Sequence, residues 1–424
     1  MYYSQILLNR RMDRRHFLAA LGITGLSVGL SGFRWWPDEG FWNPCPSDSL
    51  PTKLRNHELI QEAFEGLDFT QLWDNHTHLI GTGDNNSGIW VNPNMRSIWN
   101  PIQNVQFLFY LNASCANNDD NVDHTFVLRL KKIIDEFPTG AKAMLLAFDY
   151  HHDAGGRIVQ GQSPFHTPNH YAEKIANSFP ERFEWVASIH PYRLDAIDAL
   201  NEAINKNARA IKWLPQAMNI DPSSSKCNKF YQILADNNIP LISHAGDEHA
   251  VDAGDLQALG NPLLLRNALD AGVKVVVAHC ASMGSNTDID KGKHGHKTAN
   301  IDLFARLMKQ KEYQTLLHGD IAAITQINRS QETFETIYTH DEWHDRLIYG
   351  SDYPLPGVMP VFSPQTSVDR GYISQHQAEV LSNVRKHNPL MFDVLYKRMI
   401  SVKGKKLSNS VFHTRRLFDP EKIS

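Results

Sequence analysis

Val273-Lys274-Val275-Val276-Val277-Ala278-His279-Cys280-Ala281 (VKVVVAHCA, residues 273–281) is an apolar run, broken only by Lys274, that leads into a histidine. Such a run reads as a strand buried on both faces, which is the habit of parallel sheets covered by helices. Seven further runs share its form: FTQLWDNHTHLI (69–80), AKAMLLAFDY (141–150), RFEWVASIHPY (182–192), ARAIKWLP (208–215), IPLISHAG (239–246), QTLLHGDIAAI (314–324) and RLIYGSDYP (346–354). Segments of helical period lie between them, among them NHYAEKIANSF (169–179), LDAIDALNEAINKN (194–207), NKFYQILADNN (228–238), NPLLLRNALDAG (261–272) and DLFARLMKQKEY (302–313). Regular alternation of strand and helix argues a parallel α/β sheet, and eight units argue closure into a (β/α)8 barrel. The expected barrel domain is residues 69–360, preceded by a leader over 35–68 and followed by a helical extension over 361–424. Residues 81–140 are expected to form a long insertion after the first strand, with helices at VQFLFYLN (105–112) and FVLRLKKIIDEF (126–137).

A parallel barrel builds its active site at the carboxyl ends of its strands, and the polar residues here fall at those ends. Strand one ends in Asp74-Asn75-His76-Thr77-His78, strand four in Lys212, strand five in His244, strand six in His279 and strand eight in Asp352. Strand side chains alternate, so His76 and His78 are expected on one face, about 6.5–7 Å apart along the strand, where both can grip one ion. A single histidine at such a place is most often a satisfied core residue. Four of them with a lysine and an aspartate, all at matching ends, point to a metal site.

Lower-grade candidates follow other strands. Asp149, His151 and His152 follow strand two; His190, Tyr192 and Arg193 follow strand three; Glu248 and His249 follow strand five; Asp320 follows strand seven. Tyr192, Arg193, Glu248 and Asp320 are the candidates for substrate contact. Asp320 and Glu248 would equally suit the task of fixing a ligand histidine's tautomer. The Lys-Gly-Lys-His-Gly-His stretch at 291–296 reads as a substrate-gating loop, since its glycines disfavour a rigid metal tract.

The order His-x-His, Lys, His, His, Asp on strands one, four, five, six and eight resembles the metal-dependent amidohydrolase superfamily. The Gly-Ser-Asp-Tyr-Pro step at 350–354 is similar to that of its amidohydrolase-related branch, as is Asn388-Pro389 ahead of a helix. The likeness runs from about Phe69 to Pro354; the leader and the insertion fall outside it. It implies that His76 and His78 hold a first metal with Asp352 beside it, and that His244 and His279 hold a second. Lys212 would bridge both as a carbamate, because a bare ammonium facing two cations is repelled while a carboxylated lysine is an anion with two oxygens. In the alternative one-metal site, His279 is a catalytic acid/base and Lys212 a plain ammonium. The implied ion is Zn2+, with Mn2+ or Fe2+ as alternatives. The implied activity is a hydrolase in which the metal acidifies a water for attack on an amide, lactone or ester carbon, and Asp352 carries the proton. Two rival readings stand beside it: a mononuclear decarboxylase or hydratase acting on a carboxylated substrate, and an exported metal-dependent binding protein.

The amino-terminal text RRMDRRHFLAALGITGLSVGLSGF (10–33) carries Arg14-Arg15 before Phe17-Leu18 and a Gly/Ser-diluted apolar run. It resembles a twin-arginine export signal over residues 1–34, which implies recognition by that export machinery and a periplasmic protein exported already folded. No clear Ala-x-Ala cleavage step follows, so an uncleaved signal would act as a membrane tether. The whole chain has 42 basic against 46 acidic residues, which excludes a basic footprint for nucleic acid. A small-molecule substrate is the expected partner. Four scattered cysteines, Cys45, Cys115, Cys227 and Cys280, make no recognisable disulfide framework. Cys227 and Cys280 read as buried small apolar residues in a helix and a strand.

Overall fold

The computed structural model describes residues 39–116, 121–251, 255–292 and 294–419; the segment read as an export signal, 1–34, lies outside them. The eight expected strands are present: β1 (Trp73–His78), β2 (Lys142–Leu146), β3 (Phe183–Val186), β4 (Ile211–Trp213), β5 (Leu241–His244), β6 (Val275–Ala278), β7 (Leu317–Asp320) and β8 (Leu347–Ile348). All ladders between them are parallel, in the order of a (β/α)8 fold. They do not form one closed ladder. A three-stranded sheet β1–β2–β3 faces a five-stranded sheet β4 to β8, and each seam carries a single parallel bridge, Ala187 to Ile211 and Thr77 to Tyr353. Backbone hydrogen bonds reinforce the seams, with Lys212 N donating to Ala187 O at 2.7 Å and Asp352 N to His76 O at 2.8 Å.

The barrel interior is a core of its own. Trp73, Met144, Leu146, Val186, Ala210, Ile242, Val276 and Ile348 meet there, and Leu417 and Phe418 close its amino-terminal end. The carboxyl terminus is tied in place where Trp73 N donates to Thr414 Oγ1 at 2.8 Å. Between strands and helices lies the larger apolar layer, for example Ala143, Leu145, Leu200, Leu234 and Leu307. The amphipathic helices Ala196–Asn205, Asn228–Asp236 and Asn300–Met308 contribute their apolar stripes to it.

The insertion forms helices Pro101–Ala113 and Val122–Asp135. The first reaches the loop after β5, where Gln106 Nε2 donates to His249 O at 3.2 Å and Tyr110 Oη to Ala250 O at 2.7 Å. Its far end is stapled to the leader by a disulfide, Cys45–Cys115, which joins residues 70 apart in sequence. Cys227 and Cys280 are free and buried, but they lie in short 3-10 turns rather than in a helix and a strand.

After β8, helices Gln375–His387 and Pro389–Met399 pack together. Arg385, fully buried, clamps the loop that follows β8 by donating to Pro356 O at 2.7 Å and Val358 O at 2.8 Å. The 291–296 stretch sits at the tip of an antiparallel ribbon, Ser285–Thr287 with Lys297–Ala299. Its base is pinned rather than loose: Arg306 pairs with Asp288 at 2.6 Å and Arg266 Nη2 with Asp290 at 3.0 Å.

Candidate metal centre

Strict alternation along β1 would place Trp73, Asn75 and Thr77 on the same face. Trp73 is in the barrel core, so His76 and His78 would then point away from it. The β1–β2 ladder contains a register shift between Asp74 and Thr77. The extra residue inverts the side-chain phase and turns both histidines to the barrel mouth, the re-aiming for which bulges are known at active sites. The two rings end 5.2 Å apart, centroid to centroid.

Asp352 faces them from the end of β8. His78 Nε2 lies 3.1 Å and His76 Nε2 3.5 Å from Asp352 Oδ1, while His279 Nε2 lies 3.8 Å from Oδ2. Asp352 takes a left-handed φ of 64°, a conformation aspartate tolerates better than most residues. Asp74 holds it there: its Oδ1 accepts from Ser351 N at 2.8 Å and His76 N at 3.1 Å, joining both strand ends. Gly350 is required between them, since a Cβ would stand 2.7 Å from the His76 Cβ. After β6, His279, Cys280 and Ala281 all take left-handed φ values of 50–57°, a turn that costs roughly 1–2 kcal/mol per residue.

Asp320, fully buried at the end of β7, lies behind the histidines rather than toward any opening. Its Oδ2 accepts from His76 Nδ1 at 2.8 Å, and its Oδ1 from His279 N at 2.7 Å and Ala322 N at 3.0 Å. Burial opposes its ionisation, but the His76 charge and hydrogen bond and the nearby His279 and Lys212 hold its carboxyl well below the usual range. Its placement matches the tautomer-fixing role, not substrate contact. With Nδ1 donating to Asp320, Nε2 is the His76 ring atom left to face Asp352. His279 is set the same way, Nδ1 donating to Ala322 O at 3.1 Å.

Burial pushes the other imidazoles toward neutrality: His78 is lowered, His279 falls to about 3 and His244 lies well below its usual value. Burial also raises Asp352, yet His76, His78 and His279 around it outweigh that and hold it ionised. Imidazole nitrogens and a carboxylate converging on one point make a donor set that fits a divalent cation. His76, His78 and Asp352 place ligand atoms within 4.8 Å of one another; His76, His279 and Asp320 form a second such group. In the second group the oxygens of Asp320 are already occupied.

His244 belongs to neither group. Its ring lies 5.3 Å from that of His279 and its buried Nε2 has no partner, while Glu248 Oε2 stands 3.5 Å from Nδ1. Lys212 is buried and donates from Nζ to His76 Nε2 at 3.0 Å; burial lowers its pKa against the pull of Asp320, Asp352 and Glu248.

Several candidates are not gathered here. Arg193 pairs with Asp149 at 2.9 Å and Asp195 at 2.6 Å, and Tyr192 Oη meets the backbone of Asp221. His151 and His190 donate to Ala217 O and Met218 O, as satisfied core histidines do, and the rings of His152 and His190 lie 4.4 Å apart. His249 meets the insertion through its backbone. Two residues that the sequence reading passed over feel the charge of Asp352. Arg329 is buried on the loop after β7, and Tyr110 of the insertion feels the charges of Glu248 and Asp352. No periodic pattern marks either. Asp74 was visible beside His76, but only the β1–β8 seam reveals its role.

A chamber of about 400 Å³ opens beside the insertion and the loops after β2, β4 and β5, lined among others by Asn92, Gln106, His151, Gln162, Gln216 and Asn219. None of the metal-ligand candidates lines it.

A family model described as Amidohydrolase matches residues 138–370. No curated protein matches the chain. Among solved structures, a putative 2-pyrone-4,6-dicarboxylic acid hydrolase from Pseudomonas putida is 16% identical, with 84% of this chain and 99% of that one covered and a TM-score of 0.45. Metarhizium anisopliae IDCase in apo form is 10% identical over 85% and 99% of the two chains, with a TM-score of 0.45. A 4-oxalomesaconate hydratase from Rhodopseudomonas palustris is 11% identical over 82% and 93%, with a TM-score of 0.42.

Proposed function

The chain belongs to the amidohydrolase family, and on that premise we propose that it is a metal-dependent hydrolase of a small molecule's amide, lactone or ester. The observation that carries this reading is the convergence of His76 Nε2 and His78 Nε2 on Asp352, with the His76 ring held from behind by Asp320. His76, His78 and Asp352 would hold a divalent cation, zinc by the nitrogen-rich donor set. When bound, such an ion supplies Lewis acidity and a water of lowered pKa. Asp352, kept ionised by the imidazoles around it, accepts the proton of the attacking water and returns it to the leaving group. His279, with its Nε2 3.8 Å from Asp352, stands beside it but outside hydrogen-bond range. Asp74 and Asp320 hold these groups in register.

A second reading is favoured by one observation: His244 joins neither ligand group, although its ring lies 5.3 Å from that of His279. That supports one ion, held by His76, His78 and Asp352. A one-ion centre with His279 as acid/base suits a decarboxylase or hydratase as well as a hydrolase.

Residues 1–34 are proposed to direct folded export to the periplasm through the twin-arginine machinery. Among the described residues no helix is long and apolar enough to cross a membrane.

The experiment is metal analysis of natively exported protein, wild type and His76→Ala/His78→Ala, with lactone, ester, amide and carboxylated substrates assayed in parallel. One zinc per chain, lost in the double variant together with hydrolysis, is the expected result. Full metal content in the double variant refutes the ligand assignment. Release of carbon dioxide without hydrolysis selects the lyase.

A further inference from the structure

The chamber of about 400 Å³ has a lining that the metal chemistry does not use. Seven of the fifteen residues around it are Asn or Gln, Asp255 is the one carboxylate, and among the described residues no Lys, Arg, Phe, Tyr or Trp takes part. Charged residues make up 21% of this chain but one in fifteen here. An anion would meet no cation, and a flat aromatic group would find no ring to stack on. The single carboxylate is exposed, so it holds a cation only weakly. These exclusions leave a neutral, polar ligand.

The walls are held in place by bonds of their own. Asn92 joins the insertion to the loop after β2, its Nδ2 donating to Gly161 O at 3.1 Å and Ser163 O at 2.8 Å. Ser163 Oγ in turn accepts from His151 N at 2.9 Å. On the loop after β4, Asn219 Nδ2 donates to His152 O at 2.9 Å, and from the insertion Gln106 Nε2 donates to His249 O at 3.2 Å. These bonds leave part of each side chain unused: Asn219 Oδ1 and Gln106 Oε1 accept from no described residue. His151 Nδ1 donates to Ala217 O at 3.0 Å, so Nε2 is the ring atom left to face the chamber. Burial lowers the His151 pKa and keeps that nitrogen an acceptor at neutral pH. Gln162, on the exposed rim, makes no side-chain bond to a described residue.

We propose that this chamber binds a neutral polyhydroxylated ligand, a sugar unit, through Gln106, His151, Gln162 and Asn219. A hydroxyl both donates and accepts, and a carboxamide offers the same two roles on one planar end. The four side chains come from three segments, the insertion and the loops after β2 and β4, so they meet a ligand from more than one side. Ring hydroxyls radiate in that way. A peptide presents its amides along a line and suits a strand edge instead. A volume of about 400 Å³ falls within the usual span of small-molecule sites, about 300–1,000 Å³, and is ample for a sugar ring. The site requires neither the metal nor the hydrolysis proposed above.

The test is a ligand-observed NMR titration of the full chain with methyl β-glucoside, xylose, maltose and myo-inositol, and with N-acetylglycine methylamide as the amide rival. Wild type should bind at least one of the polyols saturably, and equally well with zinc stripped or loaded. Gly161 lines the chamber, and no atom stands within 4 Å of the place its Cβ would take. Gly161→Trp should therefore fold, fill the chamber and weaken binding by about tenfold or more. Gln106→Leu removes one neutral hydrogen bond and should weaken it about two- to tenfold. Wild type that binds none of the polyols saturably overturns the proposal, as does a folded Gly161→Trp that binds them as wild type does. Should Gly161→Trp fail to fold, unchanged affinity in both Gln106→Leu and Gln162→Ala overturns it instead. Tighter binding of the methylamide than of every polyol overturns the sugar assignment. Polyol binding that Gly161→Trp retains and His76→Ala/His78→Ala abolishes would belong to the metal centre and overturn the chamber site.

Discussion

Replacing Asp320 with asparagine keeps the shape of the residue behind the metal centre and removes its charge. Three N–H groups converge on the carboxylate: His76 Nδ1 at 2.8 Å, His279 N at 2.7 Å and Ala322 N at 3.0 Å. An amide has one oxygen, able to accept from two of them, and its own NH2 must then face the third. Asp320 is fully buried, so no water relieves the mismatch. Each buried donor left without an acceptor costs about 1–3 kcal/mol. Two such donors, partly relaxed by a turn of the His76 ring, give about 2–4 kcal/mol and a fall in Tm of roughly 2–5 °C. The functional effect is sharper. An imidazole no longer held by its Nδ1–H can turn or change tautomer, and losing such a partner typically weakens metal binding by about 10–100-fold. Zinc titration against a competing chelator and thermal unfolding of the stripped protein read the two effects separately. If Asp320→Asn binds zinc within about twofold of wild type and melts at the same temperature, the tautomer argument for His76 is wrong.

Other outcomes follow from the same contacts. Asp352→Asn should retain most of its metal through His76 and His78 yet lose about 10²–10⁴-fold in kcat; turnover within a few-fold of wild type would make Asp352 a passive ligand. Burial raises Glu248 to about 7 from 4.5, so the native state holds a proton there that the unfolded chain releases. Metal-free stability should therefore fall as pH rises from about 4.5 to 7, and Glu248→Gln should stabilise the protein at pH 8 but hardly at pH 4; equal shifts at both would refute the burial argument. Arg14→Lys/Arg15→Lys should leave the protein in the cytoplasm, and fractionation that still finds it in the periplasm would rule out the twin-arginine reading.

The eight strands were legible because each is an apolar run ending in polar residues, and parallel strands buried on both faces leave that mark. His76, His78, His279 and Asp352 could be named from strand ends alone, since a barrel brings those ends to one mouth. The bulge in β1 could not. It has no composition of its own, and simple alternation from the core residue Trp73 would turn both histidines the wrong way. The incomplete closure was equally hidden, because the seams depend on how few residues β4 and β8 pair. Arg329 gave no warning either: it stands alone in Gln326-Ile327-Asn328-Arg329-Ser330, and only the structure shows that it is buried. The Cys45–Cys115 pairing needed the leader and the insertion to be placed side by side.

Leu417 and Phe418 fill the closed end of the barrel interior against Trp73 and Val276. That arrangement imposes an order in time. Trp73 is made early, and its neighbours at the far end of the chain come about 340 residues later, which at 5–20 residues per second is roughly 20–70 s of synthesis. Through that interval the interior layer lacks its last members, and the half-built barrel can be read by chaperones and proteases as unfinished. Arrival of the last turn, Arg415–Phe418, is therefore the event that completes the interior layer and removes that mark of an unfinished molecule.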